Sequence, residues 1–392
     1  MHTLRDLFFN HVAQTSDLPV GLTVSNATKE YIYDENGKAY LDCISGIAVS
    51  NIGHAHPAVV RAIESQANKY LHTMVYGEHI QSPQVLLAQK LSMLTQDKLN
   101  AVYFVNSGAE AVEGSLKLAR RYTGRKKIIA FENAYHGSTL GAMSLWTDAE
   151  NTDVYGPFLE NVCHLQFNNI DELSQIDTKT ACVIVEPVQG EAGYIPATID
   201  FLMALRDKCN EKGCLLIFDE IQSGMGRTGN IFAYQHYNVI PDILLLAKAL
   251  GAGLPLGAFL ADKKIMDSFT HNPTLGHMTT FGGNPLCCAA SLASIQVLEE
   301  ENLLKKIPEK EKLFKTLLHD SCIYEVRGIG LMLAVQLNSY YEVQKVIQYA
   351  FKQGVLLDWF LYNNAAIRIA PPLTISENQI YEVCHTIING LC

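Results

Sequence analysis

Six short runs of almost wholly apolar residues, each followed by a turn and a longer amphipathic stretch, constrain this chain more than anything else in it. They span 102–105, 127–131, 182–185, 215–218, 243–246 and 258–260. Runs this short and this apolar suit strands buried on both faces, as in a parallel sheet covered by helices. Ala109, Val112, Leu116 and Ala119 step by three and four, so a helix follows the first run. Phe201, Leu202, Leu205 and Cys209 repeat the pattern before Leu215. Alternation of strand and helix from about residue 100 to 290 predicts an α/β domain.

The rest of the chain reads differently. Residues 291–303 and 340–353 have helical spacing, with short strands near 330–337 and 366–369, which predicts a smaller α+β unit. Strand signals at 31–33 and 39–42 flank the turn Asp34-Glu35-Asn36-Gly37, in a segment too short for a core of its own. The expected division is therefore 1–75, joining the small domain; 76–290, the large α/β domain; and 291–392, the small C-terminal domain.

Charge and cysteine usage remove several classes of function. Lys and Arg number 30 against 40 Asp and Glu, a formal charge of −10, which works against binding nucleic acid through its phosphates. No apolar run approaches the roughly 18 residues that span a bilayer. Met1-His2-Thr3-Leu4-Arg5-Asp6 carries an early acid and no long apolar stretch, which speaks against a secretory signal. Ten cysteines, none in Cys-x-x-Cys spacing, do not form a disulfide framework in a chain of 392 residues. These features point to the cytoplasm.

Three places carry chemistry. Asn106-Ser107-Gly108-Ala109-Glu110 lies between a buried strand and a helix, where backbone N–H groups and the helix dipole favour an anion such as phosphate. Read alone, it is equally an ordinary turn with Ser107 as the cap. Asp219 closes the run 215–218 at the carboxyl end of a strand, where open α/β sheets hold ligands. A buried carboxylate there needs a cationic partner, and a protonated pyridine nitrogen would serve; a plain turn cap is the alternative. Lys248 follows the run 243–246 and precedes a glycine-rich turn. Burial lowers an amine's pKa, as Schiff-base chemistry requires, whereas a snorkelling lysine would keep its head in water. Phosphate turn, acid and lysine together read as a pyridoxal phosphate site.

At these residues the sequence resembles the class III aminotransferases, the ornithine, acetylornithine and related ω-amino enzymes. The resemblance runs over nearly the whole chain. It rests on Gly53-His54-Ala55-His56-Pro57, Asn106-Ser107-Gly108-Ala109-Glu110-Ala111, Tyr135-His136-Gly137 and Glu186-Pro187-Val188-Gln189-Gly190-Glu191. It continues through Asp219-Glu220-Ile221-Gln222-Ser223-Gly224-Met225-Gly226-Arg227-Thr228-Gly229, Lys248, Thr280-Phe281-Gly282-Gly283-Asn284-Pro285 and Arg368-Ile369-Ala370-Pro371-Pro372-Leu373.

The resemblance implies the aspartate aminotransferase fold (fold type I): a large domain with a mostly parallel seven-stranded sheet plus a small α+β domain. It implies pyridoxal 5'-phosphate held at Ser107, Gly108 and Ala109, with Thr280 reaching it from the neighbouring subunit of a homodimer. Tyr135 would stack on the pyridine ring and Ile221 pack its other face. Asp219 would pair with the ring nitrogen, Gln222 with the ring hydroxyl, and Lys248 would be both Schiff-base residue and proton carrier. Arg368 would grip a substrate carboxylate, with Glu191 pairing it when an amine-bearing chain is bound. No metal is implied, and His54 and His56 are expected to be turn and packing residues.

One position departs from the pattern. The acetylornithine and ornithine enzymes carry an arginine for the donor α-carboxylate where this chain has Ser138. Ile47 resembles the acetylornithine type, whereas the stretch around Tyr76 does so less, and 272–285 resembles the putrescine branch. The expected reaction is ping-pong transfer of a terminal amino group from N-acetylornithine or ornithine to 2-oxoglutarate. Putrescine or another ω-amine is the second candidate donor, and an aminomutase or a non-catalytic regulator the more distant readings.

Overall fold

The computed structural model describes residues 3–17, 19–147 and 154–391. Its largest sheet has seven strands in the spatial order 101–105, 257–261, 243–246, 215–219, 180–185, 127–131, 162–165. All run parallel except 257–261, which is antiparallel to both neighbours.

Side-chain alternation explains why the strands read as unbroken apolar runs. Leu216, Phe218, Leu244 and Leu246 enter one hydrophobic cluster with helix Ile199–Lys212. Leu215, Ile217, Ile243 and Leu245 enter another with helix Gly108–Thr123. Both faces are covered, so neither parity of the strand needs a polar residue. The strand Val162–Leu165 escaped the sequence reading. It lies at the sheet edge, and its first three residues, Val162, Cys163 and His164, are only half-buried, so it leaves no apolar run.

A second core gathers the C-terminal third and part of the N-terminus. An antiparallel sheet in the order 325–329, 332–336, 366–369, 358–359 packs with helices Ile307–Leu317, Tyr340–Gln353 and Glu377–Leu391. Leu41, Cys43, Ile52 and Val59 belong to the same cluster, and Ala39–Asp42 pairs in parallel with Val355–Leu356. Helix Tyr340–Gln353 has the expected bounds because Ser339 caps its start, accepting from Glu342 N–H, and Gly354 ends it in the left-handed region at φ 87°. The helix expected at 291–303 is instead Pro285–Glu300: Asn284 caps it and Pro285 supplies the first turn.

Arg227 ties the two cores together. Fully buried, it donates to the carbonyls of Leu331 and Pro371 and to Asn51 Oδ1. Burial pushes its pKa down to about 10. No described helix is long and apolar enough to cross a membrane. Among the described residues no group of three or more His, Cys, Asp or Glu could hold a metal ion. His54 instead meets Asp42 at 2.8 Å, and His56 caps helix Pro57–Ala67.

Candidate active site

The carboxyl ends of the parallel strands open into a cavity of about 520 Å³. Ser107, Gly108, Ala109, Tyr135, Ser138, Asp219, Ile221, Gln222 and Lys248 all line it, as do Glu186 and the segment 253–256. These residues are far apart in sequence. Strand 215–219 lies beside 243–246 with Asp219 opposite Leu245, so Asp219 and Lys248 leave neighbouring strand ends on the same edge.

Ser107 caps the helix Gly108–Thr123, its Oγ accepting from Glu110 N–H at 3.2 Å. The Glu110 carboxylate turns back to accept from Asn106 N–H at 2.8 Å and Asn106 Nδ2 at 2.9 Å. Cap and anion site coexist, because the N–H groups of Gly108 and Ala109 belong to the first turn and have no intrahelical acceptor. Two glycines shape the cradle. A Cβ on Gly108 would come within 2.9 Å of Ile221 Cδ1, and Gly137, at φ 119°, would place one 2.7 Å from Ala109 Cβ.

Asp219 is held from two sides. Its Oδ2 lies 2.7 Å from His136 Nδ1, and its Oδ1 accepts from Ile221 N–H at 3.0 Å. Burial pulls the His136 pKa down, but the hydrogen bond and charge of Asp219, with help from Glu186, outweigh it and leave it raised. Glu186 accepts from Tyr135 N–H at 3.0 Å and Gly190 N–H at 2.8 Å. Burial lifts it to about 7, with Asp219 adding repulsion against the attraction of His136.

Lys248 sits in the left-handed region at φ 48°, opening the short helix Lys248–Gly251. A lysine held there carries backbone strain that the flanking strand must support. Burial lowers its pKa, and Arg368 lowers it further, while Glu191, Asp219 and Glu186 pull it back up.

Arg368 lies behind the cavity wall, one hydrogen bond from Gln222, and Glu191 lies behind Arg368. Arg368 Nη2 donates to Glu191 Oε2 at 2.7 Å and to the Trp359 carbonyl at 3.2 Å, while Nη1 reaches Gln222 Oε1 at 3.5 Å. The guanidinium also lies over Phe360, 4.7 Å from the ring centroid, and 5.7 Å from that of Tyr194. Burial works against both charges of the pair. Arg368 nonetheless holds the Glu191 carboxyl below its ordinary pKa, and Tyr194 and Glu191 raise that of Arg368.

A lysine, a carboxylate and a helix start meet on one sheet edge in this chain, and the whole chain is similar to known proteins. Residues 12–391 match the model of the family described as aminotransferase class-III. The chain is a class III aminotransferase. It is 41% identical to the acetylornithine aminotransferase of Methanocaldococcus jannaschii, over 94% of this chain and 93% of that one. It is 38% identical to the LysW-aminoadipate semialdehyde/glutamate semialdehyde transaminase of Sulfolobus acidocaldarius, over 95% of each. The solved ornithine aminotransferase of Toxoplasma gondii superposes with a TM-score of 0.91 at 30% identity, covering 100% of this chain and 95% of that one. The fold is that of the pyridoxal-phosphate-dependent aminotransferases.

Pyridoxal phosphate is the cofactor of this class III enzyme, and the residues present fit it. The glycine-narrowed helix start offers N–H donors for a phosphate, Asp219 a fixed carboxylate for a ring nitrogen, and Lys248 an amine whose proton is weakly held. Besides Arg368 and Glu191, three of the sequence-derived candidates stand outside the cavity lining. Thr280 and Ile47 are exposed, and Tyr76 meets Thr280 Oγ1 through its hydroxyl at 3.5 Å; none of the three lines the cavity. His136 and its hold on Asp219 went unassigned by sequence reasoning. The signal was there, since a histidine beside a glycine turn after a buried strand has a partner to find, but no spacing identifies which acid it meets.

Proposed function

We propose that this aminotransferase moves the terminal amino group of N-acetylornithine or ornithine to 2-oxoglutarate by a ping-pong mechanism. The buried pair Arg368–Glu191 at 2.7 Å carries the reading. A guanidinium that can be either free or neutralised lets one site take a carboxylate end in one half-reaction and an amine end in the other. The name of the Methanocaldococcus jannaschii relative, acetylornithine aminotransferase, agrees with the first of these donors.

In this reading Ser107, Gly108 and Ala109 hold the phosphate, Tyr135 and Ile221 flank the ring, Asp219 keeps its nitrogen protonated and Gln222 meets its hydroxyl. Bound there, pyridoxal phosphate supplies the electron-accepting ring that makes the donor's C–H bond acidic. Lys248 would hold the cofactor covalently and, as a free amine, would carry the proton to and from the donor carbon. The active molecule is a cytoplasmic homodimer in which Thr280 serves the neighbour's cofactor, and Ile47 and Tyr76 lie where donor and subunits meet. Exposed Leu71, Met74, Ile80, Met278 and Phe281 near Thr280 support such a contact. The chain divides into 1–75 with 291–392 as the small domain and 76–290 as the large one.

One observation favours a second donor. Ser138 lies on the cavity wall with its Oγ 3.1 Å from the Tyr135 hydroxyl, a neutral pair where an α-carboxylate would want a cation. Putrescine, which has no carboxylate, suits that wall. The test mixes the cofactor-loaded enzyme with N-acetylornithine, ornithine, putrescine or 4-aminobutyrate and no acceptor, and follows the cofactor's absorbance. Conversion by the ornithines supports the first reading; conversion by putrescine alone replaces it with the second. Turnover of a donor to an isomer without any oxo-acid would make the enzyme an aminomutase.

A further inference from the structure

Arg368 has a second carboxylate facing it. The strand Asp358–Trp359 runs antiparallel to Ala366–Ile369, with Asp358 directly opposite Arg368. Directly opposed residues in an antiparallel pair send their side chains to the same face of the sheet. The same short strand holds the guanidinium by its backbone, since the Trp359 carbonyl accepts from Arg368 Nη2 at 3.2 Å. Asp358 Oδ1 accepts from Trp359 N–H at 2.8 Å, which fixes the carboxylate beside that carbonyl. The charges feel each other: burial raises the Asp358 pKa, Arg368 pulls it back, and Asp358 in turn raises that of Arg368.

The two acids around Arg368 are not equivalent. Glu191 Oε2 is the direct partner of Nη2, and the same oxygen also accepts from Leu361 N–H at 3.1 Å. A substrate carboxylate that takes Nη2 competes with Glu191 directly. Asp358 is tied into the strand that pairs with Arg368 and is not a partner that a ligand at Nη2 displaces. A carboxylate-ended ligand must therefore bind against a negative charge that does not leave. An amine-ended ligand meets a guanidinium already offset by two acids.

We propose that Asp358 is a standing counter-charge on Arg368 that determines how strongly the site prefers amine-ended over carboxylate-ended substrates. This rests on the reading of Arg368 as the carboxylate anchor, and the experiment separates the two. Holoenzyme carrying Asp358→Asn is compared with wild type in two measurements. One is the Kd of glutarate, an unreactive five-carbon dicarboxylate, by calorimetry. The other is the KM of the amine donor in the half-reaction without acceptor.

Removal of the charge should tighten glutarate about three- to ten-fold and raise the donor KM by a similar factor. Unchanged glutarate binding, or parallel weakening of both ligands, overturns the proposal, the latter being what a merely structural residue would give. Asp358→Ser, with melting temperatures for both variants, guards against a local folding defect. Arg368→Ala is measured alongside: if it leaves glutarate binding intact, the anchor reading itself has failed. If it abolishes binding while Asp358→Asn changes nothing, only the role of Asp358 has.

Discussion

The cavity has two halves that were built in different ways. In the proposed reading the cofactor half is made from the parallel strand ends of one sheet, each delivering a residue to the same edge: Ser107 after 101–105, Tyr135 after 127–131, Glu186 after 180–185, Asp219 at 215–219 and Lys248 after 243–246. In that reading the substrate half lies behind the wall and is assembled from segments with no common element. Glu191 comes from a turn between short strands and Arg368 from the small antiparallel sheet. A sheet edge fixes positions by backbone register, whereas the second half depends on how two cores dock. The first half should therefore tolerate changes in donor and acceptor chemistry, and the second should be where specificity resides.

The largest test of that contrast is Lys248→Ala. Loss of the amine should abolish turnover and remove the absorbance of the covalently held cofactor while the melting temperature of the apoprotein stays near wild type. Retained turnover would show that the cofactor half does not depend on the strand edge at all. Asp219→Asn comes next: kcat should fall about ten- to a hundred-fold for every donor alike, because a charge-assisted contact to the ring is lost. A change in donor ranking would blur the two halves.

Arg368→Ala should act on the other side only. The KM for 2-oxoglutarate should rise about ten-fold or more, with the covalently bound cofactor's spectrum unchanged. The smallest effect is expected of Ser138→Arg. A guanidinium beside the Tyr135 hydroxyl should improve N-acetylornithine relative to putrescine by roughly three- to ten-fold in kcat/KM. If the preference moved the other way, the donor carboxylate would lie elsewhere.

The same contrast decides what could be read before the structure. Asp219 and Lys248 stand at the ends of apolar runs, so a sequence pattern that marks a buried strand also marks the residue that leaves it. Ser107 was legible both as a cap and as an anion site, and it does cap the helix Gly108–Thr123. The meeting of His136 with Asp219 was not legible, since it joins two strand ends whose spatial order, with 180–185 between them, no local pattern reveals. Nor was the cross-strand placement of Asp358, because a strand of two residues carries no periodicity. Arg368 and Glu191 entered through family resemblance and not through their own surroundings. Val162–Leu165 shows the same limit within the fold: at the edge of the sheet, exposure removes the apolar signal that found its neighbours.

The reversed strand 257–261 has a mechanical consequence for Lys248. Chain that leaves the sheet edge at Leu246 returns to that edge at Gly257, next to Val105. The lysine thus rides on a short bridge with both piers set in the same foundation. Its backbone is held from both sides, so movement of the amine is confined to the swing of four methylene groups about a fixed pivot.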